Sequence, residues 1–448
     1  MVFDPMQDDG TDKGKYSSFV FLLPDPIPTS TLTSRWRGRR RRASDESSVH
    51  GLEDSSGTNR DGTQFIYDCL PFRVAKLHLI QLLRALDDDG SSTGQAVDGG
   101  RISMFDEPQS GDVGEVDCVD MYKQPAFDHH LLKNHKIQMN PSFSTRKKTN
   151  EVFSKSQLVG FRCPQGMVPI RRPKTGLKSF SKSHGGSLHT FATKLPSEYS
   201  VGIDTAEVAT YHGAKAVITI NNPRVEVGQY SKAQIWVRNG PEAETNSIEV
   251  GWAVHPKLYG DNRTRLTAYW TADGFQKTGC YNIECPGFVQ VHNEYHLGGY
   301  FANISVFDGP QYGFKMTIIQ DQSTGNWWLM DDDDYKYGYW PKEIFTHLAT
   351  GASYLRYGGA TFSPSNIQTP VPMGNGYIPD IKADEAGTFT FVQIVNADYQ
   401  IVELTDKIAG HFFDYGPNCY GIVDWYDGQD PNTTGHAFTY GGPGGPCP

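Results

Sequence analysis

No run of about 18 apolar residues occurs anywhere in the chain, so no transmembrane helix is expected from it. The seven cysteines (Cys69, Cys118, Cys163, Cys280, Cys285, Cys419 and Cys447) never form the doubled CxxC spacing of a zinc site, and neither a metal nor a cofactor is expected. Positive charge is in the minority: 41 Lys and Arg against 51 Asp and Glu leave a formal −10, which argues against a nucleic-acid-binding body. A secretory leader is not visible either. Residues 1–15 are acidic and polar, and the apolar residues 17–23 are too few and run into prolines. Beyond His212, no long helical periodicity interrupts the chain.

What the sequence has in plenty is glycine (47), proline (27) and short alternating runs bounded by turn residues. Ala214, Ala216, Ile218 and Ile220 alternate with Lys215, Val217 and Thr219; Ala233, Ile235 and Val237 alternate with Gln234 and Trp236; Phe314, Met316 and Ile318 alternate with Lys315, Thr317 and Ile319. A period of two puts one set on one face of a strand. Strands this numerous bury their apolar faces most simply in two packed sheets, so the expected fold is all-β, an antiparallel β-sandwich. Only two short helices are expected, over residues 72–86, which the acidic run 87–89 ends, and near 341–348.

The chain is long enough for several domains. Residues 1–115 read as a largely disordered extension around the first of those helices, and its arginine cluster at 35–42 reads as a solvated charged tail. Residues 116–172 form a small separate region, 173–200 a basic linker open to proteolytic nicking, and 201–448 the main domain. Asp128, His129, His130 and His135 have ligand chemistry but give no complete metal set; the acidic run 331–334 reads as a solvated turn, not a calcium site. Cys280 and Cys285 can close a small loop, and Cys419 and Cys447 can staple the C-terminus. Paired cysteines imply an oxidising compartment, and three glycosylation sequons, at Asn262, Asn303 and Asn432, agree with it.

The whole is organised around residues 247–255. Ile248, Val250, Trp252 and Val254 alternate with Ser247, Glu249, Gly251 and Ala253, so Glu249 is expected to point away from the core, on an open sheet face where a carboxylate can touch a substrate. Around this strand come, in order, Gln234-Ile-Trp-Val237, Tyr269-Trp270, Cys280-Tyr-Asn282, Cys285-Pro-Gly287, Gly325-Asn-Trp-Trp328, Gly338-Tyr-Trp-Pro341, Met373-Gly-Asn-Gly376 and Tyr440-Gly-Gly-Pro443. Upstream lie Val116-Asp-Cys-Val-Asp-Met-Tyr122 and Arg162-Cys-Pro-Gln-Gly-Met167. Across roughly residues 116–448 these resemble the neprosin family, plant glutamic peptidases with a catalytic domain behind an activation peptide.

That resemblance implies a β-sandwich made as a secreted zymogen, needing no cofactor, with residues 116–172 as its activation peptide. It also implies a bond between Cys118 and Cys163 inside that peptide, leaving Cys69 free. The expected partners are a proline-containing peptide or protein substrate and the chain's own propeptide, with no nucleic acid or membrane. Hydrolysis by carboxyl groups needs one to take a proton from water and another to protonate the leaving amine, so their environments must push their pKa values apart. The family's first catalytic glutamate, in an Ile-Glu-Val-Gly-Trp motif, falls on Glu249. Its second, after Trp-Gly-Gly, falls on Ala360 in Tyr357-Gly-Gly-Ala360, where a methyl group can transfer no proton. Past Gly376 the family's Pro-Glu-Glu is replaced by Pro379-Asp-Ile381, which leaves Asp380 as the candidate substitute acid. Gln234, Trp236 and Tyr269 are expected to line the substrate cleft, with Arg265 and Gln290. The expected function is therefore a glutamic endopeptidase cleaving next to proline in acid; the alternative is a catalytically impaired pseudoenzyme of the same fold that keeps the cleft as a binding surface. A carbohydrate-binding sandwich rests only on aromatic content and fold analogy.

Overall fold

The alternating runs form the strands they predict in a computed structural model that describes residues 115–143, 153–172, 198–207, 209–331, 335–405, 409–413, 419–426 and 435–445. The leading segment contributes β1 (Val116–Asp120), β2 (Ser154–Lys155) and β3 (Met167–Arg171). There follow β4 (Glu198–Thr205), β5 (Gly213–Thr219), β6 (Tyr230–Asn239), β7 (Asn246–Val254), β8 (Arg265–Thr271), β9 (Cys280–Tyr281) and β10 (Val289–Gln290). Next come β11 (Tyr312–Gln320), β12 (Trp327–Met330), β13 (Lys336–Trp340), β14 (Tyr354–Phe362) and β15 (Gly387–Val395). The last are β16 (Ile401–Glu403), β17 (Ala409–Phe413), β18 (Gly421–Tyr426) and β19 (His436–Gly441).

Two antiparallel sheets make the expected sandwich. One runs β17-β4-β14-β6-β7-β8-β9; the other runs β10-β13-β12-β11-β5-β15-β19-β18, with β16 beside β15 and β2 beside β11. Their facing sides form one core, in which Ile248, Val250, Trp252 and Val254 pack with Ala214, Ala216, Ile218, Phe389, Phe438 and Tyr440. Burying side chains of this size stabilises by about 1.5–3 kcal/mol each. The Trp252 indole N–H also donates to the Thr219 carbonyl at 2.9 Å, tying β7 of the first sheet to β5 of the second. The helix expected near 341–348 is two 3₁₀ turns, Lys342–Ile344 and Leu348–Thr350. The helix over 72–86, the arginine cluster, Cys69, Asn432, Cys447 and residues 332–334 lie outside the described residues.

The leading segment is part of this architecture. β1 pairs with β3, and the Cys118–Cys163 bridge forms as expected, with Cα atoms 5.5 Å apart. β2 adds to the second sheet as a parallel neighbour of β11. Leu132 and Leu158 belong to the main core cluster. Buried Gln124 accepts from the Gln290 N–H at 2.7 Å and donates back to the Gln290 carbonyl at 3.0 Å, a side chain standing in for a strand neighbour. The first strand of the main domain starts at Glu198, ahead of the boundary expected at 201.

Candidate active site

Glu249 sits mid-strand in β7, opposite Trp236 on β6 and Tyr269 on β8, and Tyr269 in turn pairs with Tyr281 on β9. Alternation places it, as expected, on the face away from the main core. The expectation of an open face is corrected, however: Glu249 has 0% exposure. Its neighbours on β6 supply the reason, since Lys232, Gln234 and Arg238 all project to the same face and all reach it. Arg238 Nη2 donates to Oε1 at 2.9 Å, with Ser247 Oγ at 3.3 Å; Gln234 Nε2 donates to Oε2 at 2.7 Å, and Lys232 Nζ lies 3.6 Å from Oε2. Burial by itself would raise the pKa of this carboxyl, but Lys232 and Arg238, with the bonds from Gln234 and Arg238, together hold it below the usual glutamate range. Glu249 thus favours the ionised form more than an ordinary glutamate does. Of these partners the sequence reading named only Gln234. Lys232 and Arg238 share its alternation on β6, and that was the available signal.

Two glycines let strands of this sheet approach closely. A Cβ on Gly251 would lie 1.8 Å from the Ala233 carbonyl oxygen, and one on Gly358 would lie 2.1 Å from that of Val201, so no other residue fits either position. Gln234 pairs with both glycines, so both close approaches fall on one line across the sheet. Ala360 lies on β14 on the Glu249 face, beyond that line, paired with Lys232 on one side and Ser200 on the other. Where the second carboxyl was expected there is a methyl next to a lysine.

The remaining predicted site residues divide. Trp236 and Tyr269 flank Glu249 directly; both are buried, and among the described residues the Tyr269 hydroxyl has no hydrogen-bond partner. Arg265 shares the face but is bound to Asp261 and the Gly298 carbonyl. Gln290 belongs to the second sheet, where it holds Gln124. Asp380 is exposed on a loop, and its carbonyl accepts from Thr439 Oγ1 at 2.6 Å. Because Phe438 and Tyr440 face the core, Thr439 faces outward, so Asp380 lies over the outer surface of the second sheet, and the structure does not bring it to Glu249. The Cys280–Cys285 bridge forms as expected, Cα atoms 5.7 Å apart, and closes the loop that carries Tyr281. Cys419 is also disulfide-bonded.

Residues 227–443 match the neprosin family and residues 107–197 match the neprosin activation peptide. The chain belongs to the neprosin family. Among solved structures it is similar to Scytalido-glutamic peptidase with a peptide-based transition state analogue, at 11% identity and a TM-score of 0.31, covering 55% of this chain and 98% of that one. It is also similar to SCP-B, a member of the Eqolisin family of peptidases, in complex with the tripeptide Ala-Ile-His, at 12% identity and a TM-score of 0.30, covering 55% and 98%.

The neprosin activation peptide thus includes β1, β2 and β3. Three of its histidines are used in packing: His129 and His130 stack at 4.8 Å, and the His135 ring nitrogen lies 2.9 Å from the Tyr339 hydroxyl. Among the described residues no group of three or more His, Cys, Asp or Glu is placed to hold a metal ion. At its end, Arg171 bonds Glu115 and donates to the Tyr259 carbonyl at 3.2 Å, beside Glu284, whose carboxyl burial pushes up to about 7.

Proposed function

We propose that this neprosin-family chain is the precursor of a glutamic peptidase that hydrolyses peptide bonds beside proline in acid, with Glu249 as the base. The observation that carries the reading is the pair of buried cations on Glu249. Lys232 and Arg238 favour the ionised carboxylate, the form that takes a proton from water, down to a lower pH than in an ordinary glutamate. Trp236 and Tyr269 provide the flat aromatic walls against which a proline ring packs. Secretion goes with this reading, because the disulfides need an oxidising compartment and Asn262, at the head of a sequon, is exposed. The test is acid cleavage of a proline-rich peptide by the processed chain, with Glu249→Gln expected to abolish it.

A second reading has its own observation. Ala360, paired with Lys232, supplies no acid, which favours a catalytically impaired protein that binds peptides on this face without turnover. Tight binding of the peptide with no product, restored to cleavage by Ala360→Glu, would establish that reading instead.

A further inference from the structure

Strands β4 and β6 are the two neighbours of β14, and Phe362, two residues past Ala360, pairs with Glu198 on one side and Tyr230 on the other. The Tyr230 ring stacks on Phe362 at 5.4 Å, and its hydroxyl donates to Glu198 Oε1 at 2.9 Å. Strands one apart lie about 4.8 Å from each other, so β4 and β6 are about 10 Å apart and this bond must span β14. The Glu198 carboxylate therefore reaches over β14 at Phe362, on the Glu249 face and two residues along the strand from Ala360. From there the path returns to Glu249: Lys232 Nζ is 5.2 Å from the centre of the Tyr230 ring and 3.6 Å from Glu249 Oε2. The phenols of Tyr230, Tyr269 and Tyr281 are each raised, by burial first and then by Glu198 and Glu249 among their neighbours, so both carboxylates face one tyrosine cluster.

We infer that Glu198 is the second acid of the centre, delivered from β4 over β14 beside Ala360 in place of the glutamate that β14 lacks. The inference rests on the reading of Glu249 as the base. In the reaction a water oxygen bonds to the peptide carbonyl carbon, its proton passes to the Glu249 carboxylate, and the carbonyl pair moves onto the oxygen. As that pair returns and the C–N bond breaks, the Glu198 carboxyl gives its proton to the leaving nitrogen. The proton held by Glu249 then returns through solvent to Glu198, and the sum is one water consumed for one acid and one amine formed. The mechanism requires Glu249 ionised, which the two cations in contact with it favour, and Glu198 protonated at the acid pH of the reaction. Tyr230 is the positioning residue that holds Glu198 over β14.

The experiment uses the full chain, processed in acid, with a proline-containing fluorogenic peptide. Glu198→Gln, which keeps an acceptor for Tyr230, should lower kcat by about 10²–10⁴ while KM changes little, and Ala360→Glu added to it should restore turnover. Thermal melts of each variant separate loss of chemistry from loss of fold. An active wild type whose kcat survives Glu198→Gln overturns the inference and leaves Glu249 standing. A wild type that is inactive until Ala360→Glu is introduced also overturns it, again sparing Glu249. Absence of cleavage in wild type and Ala360→Glu alike removes the proposed function itself, and the inference with it.

Discussion

Replacing Arg238 by Met tests the electrostatics of the site without any substrate. Arg238 and Glu249 are 2% and 0% exposed and 2.9 Å apart, and removing one partner of such a pair leaves a buried charge short of its counter-ion, at a cost of about 3–5 kcal/mol. Lys232, 3.6 Å from the other carboxylate oxygen, remains, so the lower end of that range, about 3 kcal/mol, is expected for Arg238→Met. In a Glu249→Gln background there is no buried anion to strand, and the same substitution should cost about 1 kcal/mol, giving a coupling of about 2 kcal/mol. The pH dependence has a definite sign. The folded pKa of Glu249 is depressed, so its contribution is fully present above the unfolded glutamate pKa of about 4.3 and is lost as pH falls through the lower, folded value. Arg238→Met raises that folded value, so the penalty is largest at neutral pH and shrinks in acid. Urea unfolding of the full chain followed by tryptophan fluorescence, at neutral and at acidic pH, measures each corner of the cycle. A coupling below about 0.5 kcal/mol, or a penalty independent of pH, would refute the ion-pair account.

Lys232→Met should move the acidic limb of the kcat/KM profile toward higher pH, since Glu249 loses a cation; a limb that stays in place counts against Lys232 as its partner. Gly251→Ala should lower the melting temperature sharply, because its Cβ would collide with the Ala233 carbonyl, and overpacking of this kind costs about 1–3 kcal/mol or more; an unchanged melt contradicts the close approach at that row. Cys280→Ser, which opens a loop of sequence separation 5, should cost about 2 kcal/mol and loosen Tyr281, visible as faster amide exchange across β8 and β9. After a cut between residues 173 and 197, the activation peptide should still co-elute with the sandwich on gel filtration, because β2 and the Gln124–Gln290 pair join it to the second sheet. A peptide that elutes alone at once, under native conditions, speaks against that docking.

The fold was legible because a period of two decides which residues share a face, and the core is the sum of those faces. Ile248, Val250, Trp252 and Val254 could be assigned to the interior from alternation alone. Alternation does not say whether the other face is covered, since that depends on which strand lies beside it and in what register. Glu249 was thus correctly oriented and wrongly supposed open, because the side chains that close over it are 11–17 residues earlier, on β6. Gln290 shows the same limit from another side. It stands on a strand of two residues, too short to carry a pattern, and register places it in the sheet that has no part in the site.

The second acid was sought along the chain, at Ala360 by motif and at Asp380 by proximity to a motif, and both searches assume that a function keeps its sequence position. A carboxylate above the middle of an antiparallel sheet can, however, be supplied by the strand beneath it or by either neighbour leaning over. For β14 those neighbours are β4 and β6, and the register makes Glu198 and Tyr230 the pair that meet across Phe362. Glu198 heads its strand just past the linker, outside every motif that marked the family, and only the pairing of strands brings it to Phe362, two residues from Ala360. Loss of the glutamate at position 360 is therefore not equivalent to loss of an acid from the cleft, and the Glu198→Gln variant is the measurement that separates the two.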